Sequence, residues 1–174
     1  MVDNPADDTG RVFGLAGAEF VMGRDMRVTG AEVAAAFAEG ARAQGASVVD
    51  AGLTSTDELW FASGTLGLHG VQFTASHNPA DYNGLKLLHD QRPPTADDLR
   101  RLRLSTERIL SEGDALAPAQ IRPADPSAWV TDYVGRLSRL APATRPLRLV
   151  VDPGNGCLSG LAARALVAAG HQVS

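Results

Sequence analysis

Apolar residues along this chain switch between a two-residue and a three-to-four-residue period, a pattern that predicts an α/β protein. Residues 9–15 are helix-like in spacing, and residues 20–23 follow as a short strand. Thr29 stands where a helix N-cap is expected, with Glu32 three positions on as a capping-box partner. Val33, Ala36, Phe37, Gly40 and Ala41 then line one helical face, and Gly45 ends it. Residues 47–51 read as a strand. Ser55 and Glu58 form a second capping box before a short helix that runs to Gly67. Residues 71–74 read as a strand, 75–84 as a polar loop and 85–88 as a further strand.

Thr95 caps the next helix, which carries Leu99, Leu102, Thr106, Ile109 and Leu110 on one side. Its arginines resemble a basic patch, but Asp97–Arg101 and Arg103–Glu107 are spaced to pair along a solvated face. Residues 113–126 hold three prolines and no period, so they read as a linker. Asp125-Pro126 is a good start for a helix with Trp129, Val130, Tyr133, Val134, Leu137 and Leu140 on one face. Residues 147–151 are nearly all apolar, as in a parallel strand covered on both faces. A glycine turn at Gly154 and Gly156, a helix ended by Gly170 and the start of a strand at 171–174 follow. That strand–turn–helix–strand unit needs more chain to build a sheet, so a second domain is expected to begin near Leu147 and to be cut short.

Composition narrows the possible partners. The 174 residues carry a net charge of −4, which disfavours nucleic acid, because such binding rests on neutralising phosphates. No apolar run is long enough for a transmembrane helix, and the polar, acidic start is unlike a signal peptide. The single cysteine, Cys157, excludes an internal disulfide and suits a reducing, cytoplasmic setting. Of the 16 basic residues, only Lys86 is lysine. It is the one basic side chain, apart from histidine, whose proton is readily lost when its surroundings lower its pKa.

Candidate chemistry concentrates between Thr74 and Lys86, where a hydroxyl, an imidazole, an amide and an amine lie between two strands. Asn83-Gly84 can fold the chain back, so a returning strand could carry Lys86 over the Ser76 loop. The G-x-S-x-G elbow of serine hydrolases is absent around Ser76. His69, His77 and His89 lack zinc-ligand spacing, and residues 152–157 lack the dinucleotide fingerprint. Phosphate chemistry fits better, with Ser76 carrying a phosphoryl group and a nearby amine moving a proton. The residues alone leave equally open a polar surface loop with a solvated lysine.

Thr74-Ala75-Ser76-His77-Asn78-Pro79, then Tyr82-Asn83-Gly84 and Lys86, resembles the phosphoserine loop of the α-D-phosphohexomutases. Gly23-Arg24-Asp25-Met26-Arg27 resembles that family's G-R-D-x-R segment, and residues 151–156 resemble the turn that opens its second domain. The resemblance implies a three-layer α/β/α mixed-sheet domain at 1–121 with its first strand missing. A linker and connecting helix would span 122–146, and a truncated second α/β domain 147–174. It implies interconversion of hexose 1-phosphate and 6-phosphate, of mannose or glucose type, through a hexose 1,6-bisphosphate and Mg²⁺. Ser76 would carry the phosphoryl group, whose phosphate would be the metal ligand. His77 and Asn78 would hold the reacting oxygens, and Lys86 would be the general acid/base. Arg24 and Arg27 would support phosphate or pair structurally, and Asn155 and Gly156 would shape their turn. The family's aspartate-rich metal loop, sugar-reading loop and C-terminal phosphate-binding domain are not among these residues, so the chain by itself is expected to be nearly inactive. A non-catalytic phosphosugar-binding module and an unrelated α/β interaction domain are the alternatives.

Overall fold

The computed structural model describes residues 18–89, 91–112, 120–158 and 160–174. The helical spacing at 9–15 and the first half of the stretch at 113–126 lie outside these described residues. Strands β1 (Glu19–Arg24), β2 (Ser47–Leu53), β3 (His69–Phe73), β4 (Leu85–Leu88) and β5 (Ile121–Pro123) form one sheet in the order β4-β3-β1-β2-β5. All neighbours are parallel except β3 and β4, which are antiparallel. Helices α1 (Gly30–Ala43) and α2 (Thr56–Leu66) are the crossovers, and α3 (Ala96–Glu112) follows β4. A single 3₁₀ turn (Pro126–Ala128) leads into α4 (Val130–Leu140). Strand β6 (Arg148–Leu149) pairs parallel with β7 (Gln172–Val173), with α5 (Leu161–Ala168) between them. Among the described residues no helix is long and apolar enough to cross a membrane.

Central strands covered on both faces are apolar at consecutive positions, and Phe20, Val21 and Met22 of β1 are all buried. On one face Phe20, Met22, Val48, Val71 and Phe73 pack against Ala34, Ala38 and Ala41 of α1. Phe37 of α1 meets Phe20 and Phe73 edge-on, with ring centroids 5.9 and 5.6 Å away. On the other face Val21 and Val49 meet Leu59 of α2, and Ala62 continues into a cluster with Trp129, Tyr133, Val134 and Leu161. Helix α4 therefore packs as part of a layer.

Gly23 allows the tightest approach within the sheet. A Cβ there would lie 2.0 Å from Thr54 Oγ1, whose hydroxyl bonds the buried Gln72 at 2.9 Å. Gly23→Ala is expected to cost about 1–3 kcal/mol, because neither partner can retreat. Urea unfolding measures it, and an unchanged midpoint would contradict it.

Four sequence expectations change. Residues 121–123, read as linker, pair with β2, and Pro123 is tolerated there because β5 is an edge strand. Thr29 does not close a capping box: its helical φ/ψ of −78° and −7° turns the hydroxyl away, and Oγ1 accepts from Asn83 Nδ2 at 3.0 Å. Only Arg148 and Leu149 of the apolar run at 147–151 form strand, and Val150 is 84% exposed. The α3 stripe is only partly covered, with Leu99 49% and Leu110 82% exposed. By contrast Ser55 Oγ does accept from Glu58 N at 3.1 Å, and Arg101 and Arg103 pair with Asp97 and Glu107 at 2.9 and 3.6 Å.

Glu58 itself is buried, and its carboxylate accepts from Trp129 Nε1 at 3.3 Å. Burial pushes its carboxyl above the usual 4.5, although the Trp129 bond opposes this. A carboxyl raised on folding contributes most when protonated, so its contribution fades as pH rises through the folded value. Glu58→Gln keeps an acceptor without the charge. It is expected to raise the melting temperature at pH 8 and to change it little at pH 4. Equal shifts at both values would refute this.

Candidate active site

The carboxyl ends of β1 and β3 lie side by side, with Arg24 in register with Phe73. Ligands of open α/β sheets bind at this edge. The segment from Asp25 to Arg27 leaves β1 there, and the loop from Thr74 to Gly84 leaves β3. The loop is closed at its base by Thr74 N donating to Gly84 O at 2.9 Å. Asn83 folds its own turn, accepting from Gly84 N at 2.8 Å while tying the loop to Thr29.

Ser76 adopts φ 57°, a left-handed conformation that disfavours residues with a Cβ. Two neighbours hold it there. Its N–H donates to Thr74 Oγ1 at 2.9 Å, and Thr74 Oγ1 donates to Asp25 Oδ2 at 2.7 Å. Arg27 then takes the loop's carbonyls. Its guanidinium donates to Ser76 O at 3.0 Å, Asn78 O at 2.8 Å, Pro79 O at 2.6 Å and Tyr82 O at 2.8 Å. Its fifth N–H, on Nε, donates to Asp25 Oδ2 at 3.2 Å, and the two side chains are only 10% and 13% exposed. Asp25 is in turn fixed by Arg27 N at 3.0 Å.

The tip of the loop faces solvent. Ser76, His77 and Asn78 are exposed, and Ser76 Oγ lies 3.1 Å from His77 Nδ1. Lys86 pairs across the ladder with Gln72 and is exposed on edge strand β4. Among the described residues the ammonium of Lys86 and the guanidinium of Arg24 have no hydrogen-bond or ion-pair partner. The structure therefore separates the two arginines that the sequence grouped. All five donors of Arg27 go to protein oxygens, as in the structural-pairing alternative, whereas Arg24 has donors to give.

Asp25 and Thr74 were not singled out by the sequence analysis. Both stand inside the quoted motifs, yet only their tertiary contacts show the relay to Ser76. The turn at 152–157 also reaches this edge: a Cβ on Gly156 would meet Met26 Cε at 3.5 Å. Asn155, at φ 62°, and Gly156, whose N–H donates to Pro153 O at 2.8 Å, shape that turn. Burial pushes the nearby Cys157 thiol up, and the Asp25 and Glu58 carboxylates add to it.

The described residues form no group of three or more His, Cys, Asp or Glu able to hold a metal ion. Asp25, the carboxylate at the base of the loop, is already bonded to Thr74 and Arg27, and the loop's own Asp81 is a single exposed carboxylate. These residues do not by themselves fit a Mg²⁺ site.

Residues 5–108 match the family model for phosphoglucomutase/phosphomannomutase, alpha/beta/alpha domain I. A phosphomannomutase of Escherichia coli is 37% identical over 153 residues, covering 84% of this chain and 34% of that protein. One from Vibrio cholerae serotype O1 is 35% identical over 142 residues, covering 78% of this chain and 30% of that one. Among solved structures, a phosphoglucomutase/phosphomannomutase family protein of Burkholderia thailandensis superposes with a TM-score of 0.73 at 30% identity. It covers 95% of this chain and 37% of that one. The chain thus spans about a third of the length of the curated relatives it matches.

Proposed function

The chain belongs to the phosphoglucomutase/phosphomannomutase family, and from that premise we propose that it carries the phosphoserine of a mutase interconverting hexose 1-phosphate and hexose 6-phosphate. The observation that carries this reading is the Ser76 loop: a strained, braced backbone that presents an exposed hydroxyl beside an imidazole at the ligand-binding edge of the sheet. We assign residues 1–121 to its first domain, 122–146 to a connecting segment and 147–174 to the start of a second.

Ser76 Oγ takes a phosphoryl group from a hexose 1,6-bisphosphate. A bond forms from Oγ to phosphorus as the Oγ proton passes to His77 Nδ1, 3.1 Å away, and the bond from phosphorus to the sugar oxygen breaks as Lys86 gives that oxygen a proton. In the reverse sense phosphoserine gives that group to a sugar hydroxyl, and Lys86 takes the hydroxyl's proton as it attacks. His77 and Asn78 donate to the reacting oxygens, and Arg24, unpaired among the described residues, offers a cation to the incoming phosphate. The family's Mg²⁺ would supply charge neutralisation, with the Ser76 phosphate as one ligand. Phosphoryl transfer depends on positioning and clustered positive charge. The 174 residues alone are therefore expected to accept a phosphoryl group but to show no sustained turnover.

The test is the intact mass of the purified chain after hours with a hexose 1,6-bisphosphate and Mg²⁺, with peptide mapping. One phosphoryl group on Ser76 is the expected result. Labelling at another residue, with Ser76 unmodified, would overturn the assignment. A coupled assay on the same sample is expected to show no continuing isomerisation, and Ser76-dependent turnover would overturn that part.

A further inference from the structure

Arg27 lies behind the loop, not in front of it, and what it does to the peptide groups has a consequence for the opposite side. A trans peptide group points its N–H away from its C=O. The carbonyls of Ser76, Asn78, Pro79 and Tyr82 all converge on the guanidinium. The N–H groups joined to three of them, on His77, Ala80 and Asn83, therefore point away from it; the fourth peptide unit leads into Pro79, which has none. Among the described residues none of these three N–H groups has a protein acceptor. A cation held on the oxygen end of a peptide dipole also polarises that dipole, so its hydrogen end becomes a stronger donor.

We propose that Arg27 is a positioning residue that orients the Ser76–His77 peptide unit as the donor of an anion cradle beside Ser76. It acts on the phosphoryl group through the N–H of His77, never by contact. Asp25 fixes the guanidinium through Nε and holds Thr74, whose hydroxyl fixes Ser76 N, so the cradle and the nucleophile share one frame. Lysine cannot replace arginine in this role, because three donors on a single nitrogen cannot span four carbonyls and a carboxylate. The proposal rests on the reading of Ser76 as the phosphoryl-bearing residue.

The experiment uses the 174-residue chain with phosphoserine introduced at position 76 during synthesis, so that it does not depend on transfer. Amide proton shifts are compared between the phosphorylated and unphosphorylated forms by NMR. In the wild type the His77 amide is expected to move downfield on phosphorylation. Arg27→Lys and Arg27→Met are expected to lose most of that movement, while amides of the sheet keep their positions. Arg42→Met, which removes a surface cation paired with Glu39, is expected to keep it. No downfield movement in the wild type overturns the proposal, and so does equal movement in folded Arg27 variants. If Arg27→Met does not fold, the wild type and Arg27→Lys still decide it. A separate arm measures phosphoryl uptake from hexose 1,6-bisphosphate, which Arg27→Lys is expected to slow by about 10²-fold. Failure of wild-type uptake alone would count against the functional reading of Ser76, while the amide shifts would judge the cradle independently.

Discussion

Ser76→Ala abolishes phosphoryl uptake and leaves the fold almost untouched; that is the largest effect expected of any single substitution in this chain. The loss is expected to be complete because the other aliphatic hydroxyl of the loop, Thr74 Oγ1, is buried and bonded to both Asp25 and Ser76 N, and the exposed phenol of Tyr82 stands six residues further along the loop. The fold survives because, among the described residues, Ser76 Oγ has only His77 Nδ1 as a partner and the side chain is exposed. The bond from Ser76 N to Thr74 belongs to the backbone and persists. A second variant separates strain from chemistry. Ser76→Gly removes the Cβ from a residue at φ 57°. It is expected to gain about 1 kcal/mol of native-state relief, partly offset by greater freedom in the unfolded chain. Intact mass and a thermal melt on the three proteins check both statements. Phosphate on Ser76→Ala in the mapped loop peptide would exclude Ser76 as the acceptor.

The second large effect is expected at Lys86. Lys86→Met is expected to lower the rate of phosphoryl transfer between Ser76 and the sugar oxygen by about 10²–10⁴-fold, the usual contribution of a positioned general acid/base. Stability is expected to change little, because the residue is exposed on edge strand β4 and has no ionic partner among the described residues. Lys86→Arg is expected to fail as a rescue, since a guanidinium keeps its proton at any working pH. Single-turnover labelling followed by mass gives the rate. If Lys86→Arg transferred at the wild-type rate, Lys86 would be acting as a fixed charge and not as a proton carrier.

The parts of the fold that were legible were those whose signal is local. Ser55 capping Glu58, the ion pairs along α3 and the consecutive apolar positions of β1 each depend on neighbours within a turn or a strand. Thr29 shows where that logic stops. Its sequence context fits a capping box, but Asn83, 54 residues away, takes its hydroxyl. Strand β5 was missed for a related reason. A three-residue segment ending in Pro123 has no period of its own, and it becomes a strand only because β2 offers it an edge.

The candidate site divides in the same way. The sequence by itself determined the chemistry: a serine, an imidazole, an amide and the single lysine between two strands, flanked by motifs that identify the family. It could not determine which cation serves which purpose, because Arg24 and Arg27 differ in sequence only by three positions. Tertiary structure decided which of them has partners. Arg27 lies where four carbonyls of a loop 49 to 55 residues away converge, while Arg24 has no side-chain partner among the described residues. The physical reason is that side-chain chemistry is written in each residue, whereas the occupation of donors is a property of the folded neighbourhood. A guanidinium whose five N–H groups are already bonded cannot also bind substrate, and only the register of β1 against β3 brings those acceptors to it.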